Sequence, residues 1–452
     1  MSSITINPLS FCFGHRTQLH DGSDNLPRIQ LILGIDFGTA FTKIVIAETR
    51  VRYAVPVGEI NGYSGFCLPC ALYSDSKGNI LFKSSSRYKT KLSNLKMPLI
   101  EGGYSHQDLE SITAYLAKVM QSVRAWFFEK YASVYKDKLL DWNINIGLPT
   151  ESFHDTKMVG LYKRVVGAAW HLSTQDSEIT LDAALSSLNL IYEHTFSEFE
   201  DFQEFGRLIH PDQINCFPEF VAMVSGYVRS PQRENDLHAL VDIGAGTADV
   251  TVFNVHRDSF DEDIYPIFAK NIGPLGTYFL LQHRNKALNS SAEIDPTEPV
   301  PDDRTFSARF NVDERGLAEI DKNFSKKFRI LVAKELQKVK IKRYPKSPRW
   351  KNGVPCFLCG GGSNVSLYRK VLEQLTATDY QFRIKICKLP APDDLEGIGN
   401  DVISFERLLV AYGLSNDPFD IGKIIKSQNV PDDEPVYNKS NFESRFVSKD
   451  ML

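Results

Sequence analysis

Two acid-headed glycine turns carry the chemistry in this sequence: DFGTAFTK, from Asp36 to Lys43, and DIGAGTADVTVF, from Asp242 to Phe253. Each follows an apolar, β-prone run, LILGI before the first and HALV before the second, so each reads as a strand, a tight turn and a returning strand. Glycine lets backbone N–H groups approach a phosphate where a side chain would block them, and successive amides form an anion-binding concavity. The acid heading each turn would repel a phosphate directly. Its natural partner is a divalent metal that bridges the phosphates. Two such turns facing each other would clamp one nucleotide, although a single Asp-x-Gly turn between strands is more often only a hairpin.

A third segment, FLCGGGSNVSLYRKVLEQL from Phe357 to Leu375, reads as a short apolar strand, three glycines, a serine able to cap a helix, and an amphipathic helix. Bare backbone at Gly360, Gly361 and Gly362 would pack flat against a base or ribose, and the helix start after Ser363 would face phosphate oxygens.

The order of Asp36-Phe-Gly38-Thr39, then Asp242-Ile-Gly244-Ala245-Gly246-Thr247-Ala-Asp249, then Gly360-Gly361-Gly362-Ser363 resembles the actin, sugar-kinase and 70-kDa heat-shock ATPase superfamily. PEFVAMVSGYV, from Pro218 to Val228, is similar to its first connecting helix, and RLLVAYGLS, from Arg407 to Ser415, to its second. Within the superfamily the second turn looks closest to the heat-shock ATPases. The resemblance implies an α/β, actin-like ATPase fold, in which two lobes are each built on a ribonuclease-H-like mixed sheet flanked by helices. The nucleotide would sit in the cleft between them.

Functional residues follow from that resemblance as expectations. ATP or ADP with Mg²⁺ is the implied cofactor, with Asp36 and Asp242 orienting the metal through its waters. The amides of Gly38, Thr39, Ala40, Gly244, Ala245 and Gly246 would hold the phosphates, and Thr39 and Thr247 would donate hydroxyls to the γ-phosphate. Glu219, at the start of the first connecting helix, matches the family glutamate that positions the attacking water. Lys43 stands where the actin branch puts a phosphate-contacting lysine. The heat-shock branch supplies its lysine from a later loop, where Lys83 and Arg87 align poorly. Glu335 and Lys338 are the pair that would reach the adenosine from a helix ending in the basic run through Lys351. That run itself reads as a solvated helix end favoured by the dipole, and without interleaved aromatics it gives no ground for nucleic-acid binding.

Positioning these groups requires two lobes, and the 452 residues are enough for two cores. The expected layout is an irregular arm over 1–30, lobe I over 31–228, lobe II over 229–415 and a tail over 416–452. Hydrophobic content of 42% and charged content of 24% are ordinary for globular chains, and a net charge of −4 gives no general attraction to nucleic acid or acidic membranes. No apolar run is long enough to span a bilayer and no leader is evident, so a cytoplasmic protein is expected. Seven cysteines include two CxxC pairs, Cys67 with Cys70 and Cys356 with Cys359, whose separation is unlike a compact zinc ribbon, so free thiols in a reducing compartment are expected.

Apolar residues from Leu109 to Phe127 recur at helical spacing and predict one core-facing helix. A second predicted helix runs from Lys157 to Ala169, and an acidic helical stretch from Ser177 to Glu204. The tail after Ser415 is too short for a substrate-binding domain. The expectation is therefore a slow, heat-shock-70-like ATPase, a chaperone-like switch whose lobe closure acts on an unidentified partner or client. The rivals are an actin-like filament-forming ATPase, compatible with an oligomer and favoured by Lys43, and a small-molecule kinase, for which no sugar-binding constellation is apparent.

Overall fold

The computed structural model describes residues 26–57, 65–82, 88–135, 138–149, 155–175, 177–193, 209–230, 232–257, 263–290, 294–295, 297–376, 382–388, 392–398, 402–425 and 427–430. The arm up to residue 25, Lys83, Arg87, the stretch 194–204 of the predicted acidic helix and the tail beyond 430 lie outside these residues.

Lobe I opens with β1 (Arg28–Phe37), β2 (Phe41–Glu48) and β3 (Val51–Ala54), successive antiparallel strands. The run LILGIDF in β1 is buried along its whole length, as a strand covered on both faces must be. β4 (Leu68–Pro69) pairs with β2, while β5 (Ala71–Asp75), β6 (Ile80–Leu81) and β7 (Tyr88–Ser93) form a separate small sheet. Helices α1 (Met97–Glu101) and α2 (His106–Tyr135) lead to β8 (Leu139–Leu148), parallel to β1. α3 (Thr156–Ser173) and α4 (Leu181–Glu193) follow, and β9 (Ile214–Pro218) then runs straight into α5 (Glu219–Val228).

Lobe II repeats the plan. β10 (Asp236–Ile243), β11 (Ala248–Arg257) and β12 (Asp263–Gly273) are antiparallel, followed by α6 (Thr277–Ala287), α7 (Asp303–Phe310), α8 (Glu314–Lys338) and the short α9 (Arg349–Asn352). β13 (Val354–Cys359) lies parallel to β10, and beyond α10 (Ser366–Thr376) β14 (Ile384–Cys387) lies parallel to β13. The chain then returns to lobe I as β15 (Leu395–Glu396) beside β3, forms α11 (Val402–Leu414), and crosses back as β16 (Lys423–Ile425) beside β12.

The two sheets share a five-strand core. It reads β3-β2-β1-β8-β9 in lobe I and β12-β11-β10-β13-β14 in lobe II, three antiparallel strands followed by two parallel ones. This duplicated mixed sheet, with α5 and α11 packed between the halves, is the two-lobed actin-like fold expected from the sequence. A shared apolar cluster holds the joint, in which Phe220, Val221 and Val224 of α5 and Leu408 and Leu409 of α11 meet Leu240, Phe253 and Phe357 of the lobe II sheet.

Two local differences from expectation have physical causes. α2 is buried all round from Ser111 to Phe128 rather than along one stripe, because α3 and α4 cover the faces that the sheet does not. The basic run after α8 is not a free helix end either. Val339–Arg343 forms a π turn, Arg343 donates to the Val430 carbonyl at 2.9 Å, and Arg349 pairs with Glu234 at 2.5 Å.

Candidate functional site

Asp36 and Lys43 face each other across the β1–β2 ladder, and the Lys43 ammonium donates to Asp36 Oδ2 at 2.7 Å. Burial pulls the Lys43 pKa down, but Asp36, Cys67 and Asp242 together outweigh it and the net shift is upward. Between them the Gly38 amide donates to Phe41 O at 3.1 Å, which closes the turn.

The second turn is built in the same way and is braced from behind. Asp242 and Asp249 are cross-strand partners of β10 and β11, and the Gly244 amide donates to Thr247 O at 2.9 Å. The start of α6 ties down the turn carbonyls, with Thr277 N donating to Gly244 O at 3.0 Å and Tyr278 N to Ala245 O at 2.9 Å. The Gly38 and Gly244 amides are therefore spent inside their own turns. The expectation that they would hold phosphate is corrected, and Thr39, Ala40, Ala245 and Gly246 are the turn residues left for that task.

Gly360 and Gly362 also differ from expectation. Gly360 adopts φ +81°, and a Cβ there would lie 2.2 Å from Asp242 Oδ1; one at Gly362 would lie 2.3 Å from Ile243 Cγ2. Both glycines let the third turn lie directly on β10, and the Gly362 amide donates to Ile243 O at 2.9 Å. Gly360 and Gly361 both line the cleft, and of the three only Gly361 has open space where a Cβ would stand. Ser363 is buried and does not cap α10, which starts at Ser366, and neither Gly362 nor Ser363 lines the cleft.

The three turns enclose an interlobe cleft of about 660 Å³, lined by Asp36, Thr39, Lys43, Glu219, Asp242, Asp249 and Gly361 among others. Glu219, the first residue of α5, accepts a 2.5 Å hydrogen bond from Lys96. Lys96 precedes α1 and was not singled out from the sequence. Its side chain is almost wholly buried, and although burial pulls its pKa down, Glu219, Tyr162 and Asp36 together raise it by more. It comes from a loop beyond the small sheet, later in the chain than Lys83 and Arg87. No spacing signal marks it, because the topology alone carries it to Glu219.

Asp242 is strongly perturbed. Burial, then the neighbouring Asp249 and Glu219 carboxylates, push it up to about 8, and Lys43 only partly opposes them. Two carboxylates heading glycine turns, Asp36 buried and Asp242 half-buried, suit a hard cation that keeps most of its own water. Among the described residues no group of three or more His, Cys, Asp or Glu side chains is placed to hold a metal ion.

Glu335 and Lys338 lie away from the cleft. Glu335 is buried and accepts from Asn271 Nδ2 of β12 at 3.1 Å, with Lys338 3.8 Å away. Of the expected pair, Glu335 sits on the face of α8 turned to the sheet, whereas Lys338, almost one turn further on, is exposed. The face that borders an opening carries Ile330, Ala333, Lys334 and Gln337, at i, i+3, i+4 and i+7, and with α10 it lines a groove of about 1270 Å³. Asp303 and Ser366 border both groove and cleft, so the two are adjacent. The CxxC pairs are divided in the same way: Cys67 lines the cleft beside β4, whereas Cys356 and Cys359 are buried in β13.

No family model and no curated protein matches the chain. Among solved structures it is similar to the apo pSK41 ParM protein, at 10% identity over 86% of this chain and 97% of that one, with a TM-score of 0.43. It is also similar to MreB5 of Spiroplasma citri bound to ADP, at 14% identity over 85% and 94%, TM-score 0.40, and to a non-polymerisable quadruple mutant of pCBH ParM, at 13% identity over 86% and 98%, TM-score 0.40.

Proposed function

We propose that the interlobe cleft binds a Mg-nucleoside triphosphate and hydrolyses it slowly. The observation that carries this reading is the convergence of two acid-headed glycine turns, one from each lobe, on a cleft that also holds Lys43 and a Lys96–Glu219 pair. Mg²⁺, when bound, would supply charge neutralisation on the phosphates, and Asp36 and Asp242 are the carboxylates placed to hold it through its waters.

The chain's own groups then divide the work. The amides of Thr39, Ala40, Ala245 and Gly246 grip the phosphates, with the hydroxyls of Thr39 and Thr247 beside them. Lys43 exchanges its hold on Asp36 for a phosphate oxygen. Glu219, held by Lys96, orients the attacking water and takes up its proton. The nucleoside extends past Gly361 toward the mouth of the α8–α10 groove, where Ile330, Ala333 and the Gln337 amide replace the expected Glu335 and Lys338.

For the output of hydrolysis, the actin-like assembling ATPase is favoured over the heat-shock-type switch by Lys43, whose ammonium sits on the first-turn carboxylate at the actin-branch spacing. Lys96 comes from a later loop, as in the heat-shock branch, so self-assembly and a partner-coupled switch are separated by kinetics rather than by the site. Steady-state Mg-ATP turnover of the purified protein, with Asp242→Ala as control, tests the reading. Turnover that is absent in the wild type, or that survives in the control, rejects it.

A further inference from the structure

Arg407 of α11 opens on the same cleft as Lys43 and Lys96 but is differently partnered. Lys43 is neutralised by Asp36 and Lys96 by Glu219. Among the described residues the polar partner of Arg407 is the Cys67 thiol, with Nη1 3.7 Å from Sγ. The neighbouring acid, Glu406, is 3.5 Å from Lys388. Cys67 is in turn within electrostatic reach of Lys43, so two cations flank one thiol on the lobe I wall. A guanidinium offers five N–H donors in a planar fork that matches phosphate, and a thiol is a weak acceptor for any of them.

We propose that Arg407 is a phosphate-binding residue contributed by the second connecting helix, so that the cleft reads the polyphosphate end of its ligand through α11 as well as through the two turns. This rests on the nucleotide reading above. Because α11 also packs against α5 and the lobe I sheet, a phosphate held by Arg407 is held by the joint about which the lobes would close.

The test is equilibrium binding of three probes, Mg-ATP, Mg-tripolyphosphate and adenosine, to the wild type, Arg407→Gln and Arg407→Lys. Loss of a charge-assisted contact should weaken ATP and tripolyphosphate binding about tenfold or more. Adenosine binding should not change, Arg407→Lys should recover part of the loss, and ATP affinity should fall less steeply with salt in the Gln variant. Equal ATP affinity in the wild type and Arg407→Gln overturns the assignment while leaving the nucleotide site standing. An equal loss for all three probes overturns it in favour of a structural role. A salt dependence in Arg407→Lys that matches Arg407→Gln counts against it even if the Gln variant folds poorly. A wild type that binds neither ATP nor tripolyphosphate removes the nucleotide reading itself.

Discussion

Asp242 is half-buried opposite Asp249, and its carboxyl is raised to about 8, well above the value it has in an unfolded chain. Between roughly pH 4 and pH 8 the folded form therefore binds a proton that the unfolded form has released, so this group's contribution to stability is full at low pH and is lost as pH rises through 8. Urea melts of the ligand-free protein should show stability falling over that window, and Asp242→Asn should flatten the dependence; an identical profile in the variant would remove Asp242 as its source. Glu219→Gln keeps the size of the side chain and most of its hydrogen bonding but removes the proton acceptor. Single-turnover hydrolysis should slow by about a hundredfold with nucleotide affinity little changed, and an unaltered rate would take Glu219 out of the chemistry. Lys96→Met leaves the Glu219 carboxylate without its buried partner and should cost about 3 kcal/mol in a denaturant melt. Asp36, Asp242 and Glu219 were legible because each heads a turn or helix whose neighbouring residues are stereotyped. Lys96 and Arg407 were not, since each reaches the cleft from an element whose local pattern, an apolar loop or helix, is satisfied without any ligand.

At the scale of elements, strand–turn–strand units and amphipathic helices could be read from alternation and glycine placement, whereas the rotation of a helix about its axis could not. α8 shows the limit. Its acids and bases occur on more than one face, so Glu335 and Lys338 were as eligible to line an opening as Lys334, which lines the α8–α10 groove, and packing on β12 through Asn271 turns Glu335 inward. The crossing of α5 and α11 is set by glycine more firmly than by any side chain. A Cβ at Gly413 would lie 1.7 Å from the Ala222 carbonyl oxygen, and neither backbone can yield without parting the helices. Gly413→Ala is therefore expected to lose about 3 kcal/mol of stability. A Cβ at Gly246, in contrast, meets nothing within 4 Å. Gly246→Ala should leave the melt within about 0.5 kcal/mol of wild type while weakening nucleotide binding, because the space it fills is the phosphate turn. Comparing the two melts separates a glycine needed for the fold from one kept for a ligand, and equal destabilisation would contradict both assignments.

For the molecule as a whole, the duplication was visible in two short turns although the halves share little else, because a repeated mixed sheet needs only matching strand patterns, and core residues may differ freely if volume is kept. What lay beyond reach is how lobe movement is used, since that depends on surfaces whose composition follows no period. The chain threads the joint repeatedly, through α5, β15, α11 and β16, so closing the cleft on a nucleotide moves elements on both outer edges of the sheets. If those edges meet other copies of the chain, nucleotide occupancy and assembly are linked, and hydrolysis per molecule must depend on how many molecules are present. Measuring Mg-ATP turnover over a hundredfold range of protein concentration should then give specific activity that climbs steeply above a threshold, with light scattering rising at the same concentration and both signals lost in Asp242→Ala. Specific activity that stays flat across the range, without scattering, would refute self-assembly. It would leave the lobe movement to be read by a different protein, whose addition should then accelerate turnover at a fixed enzyme concentration.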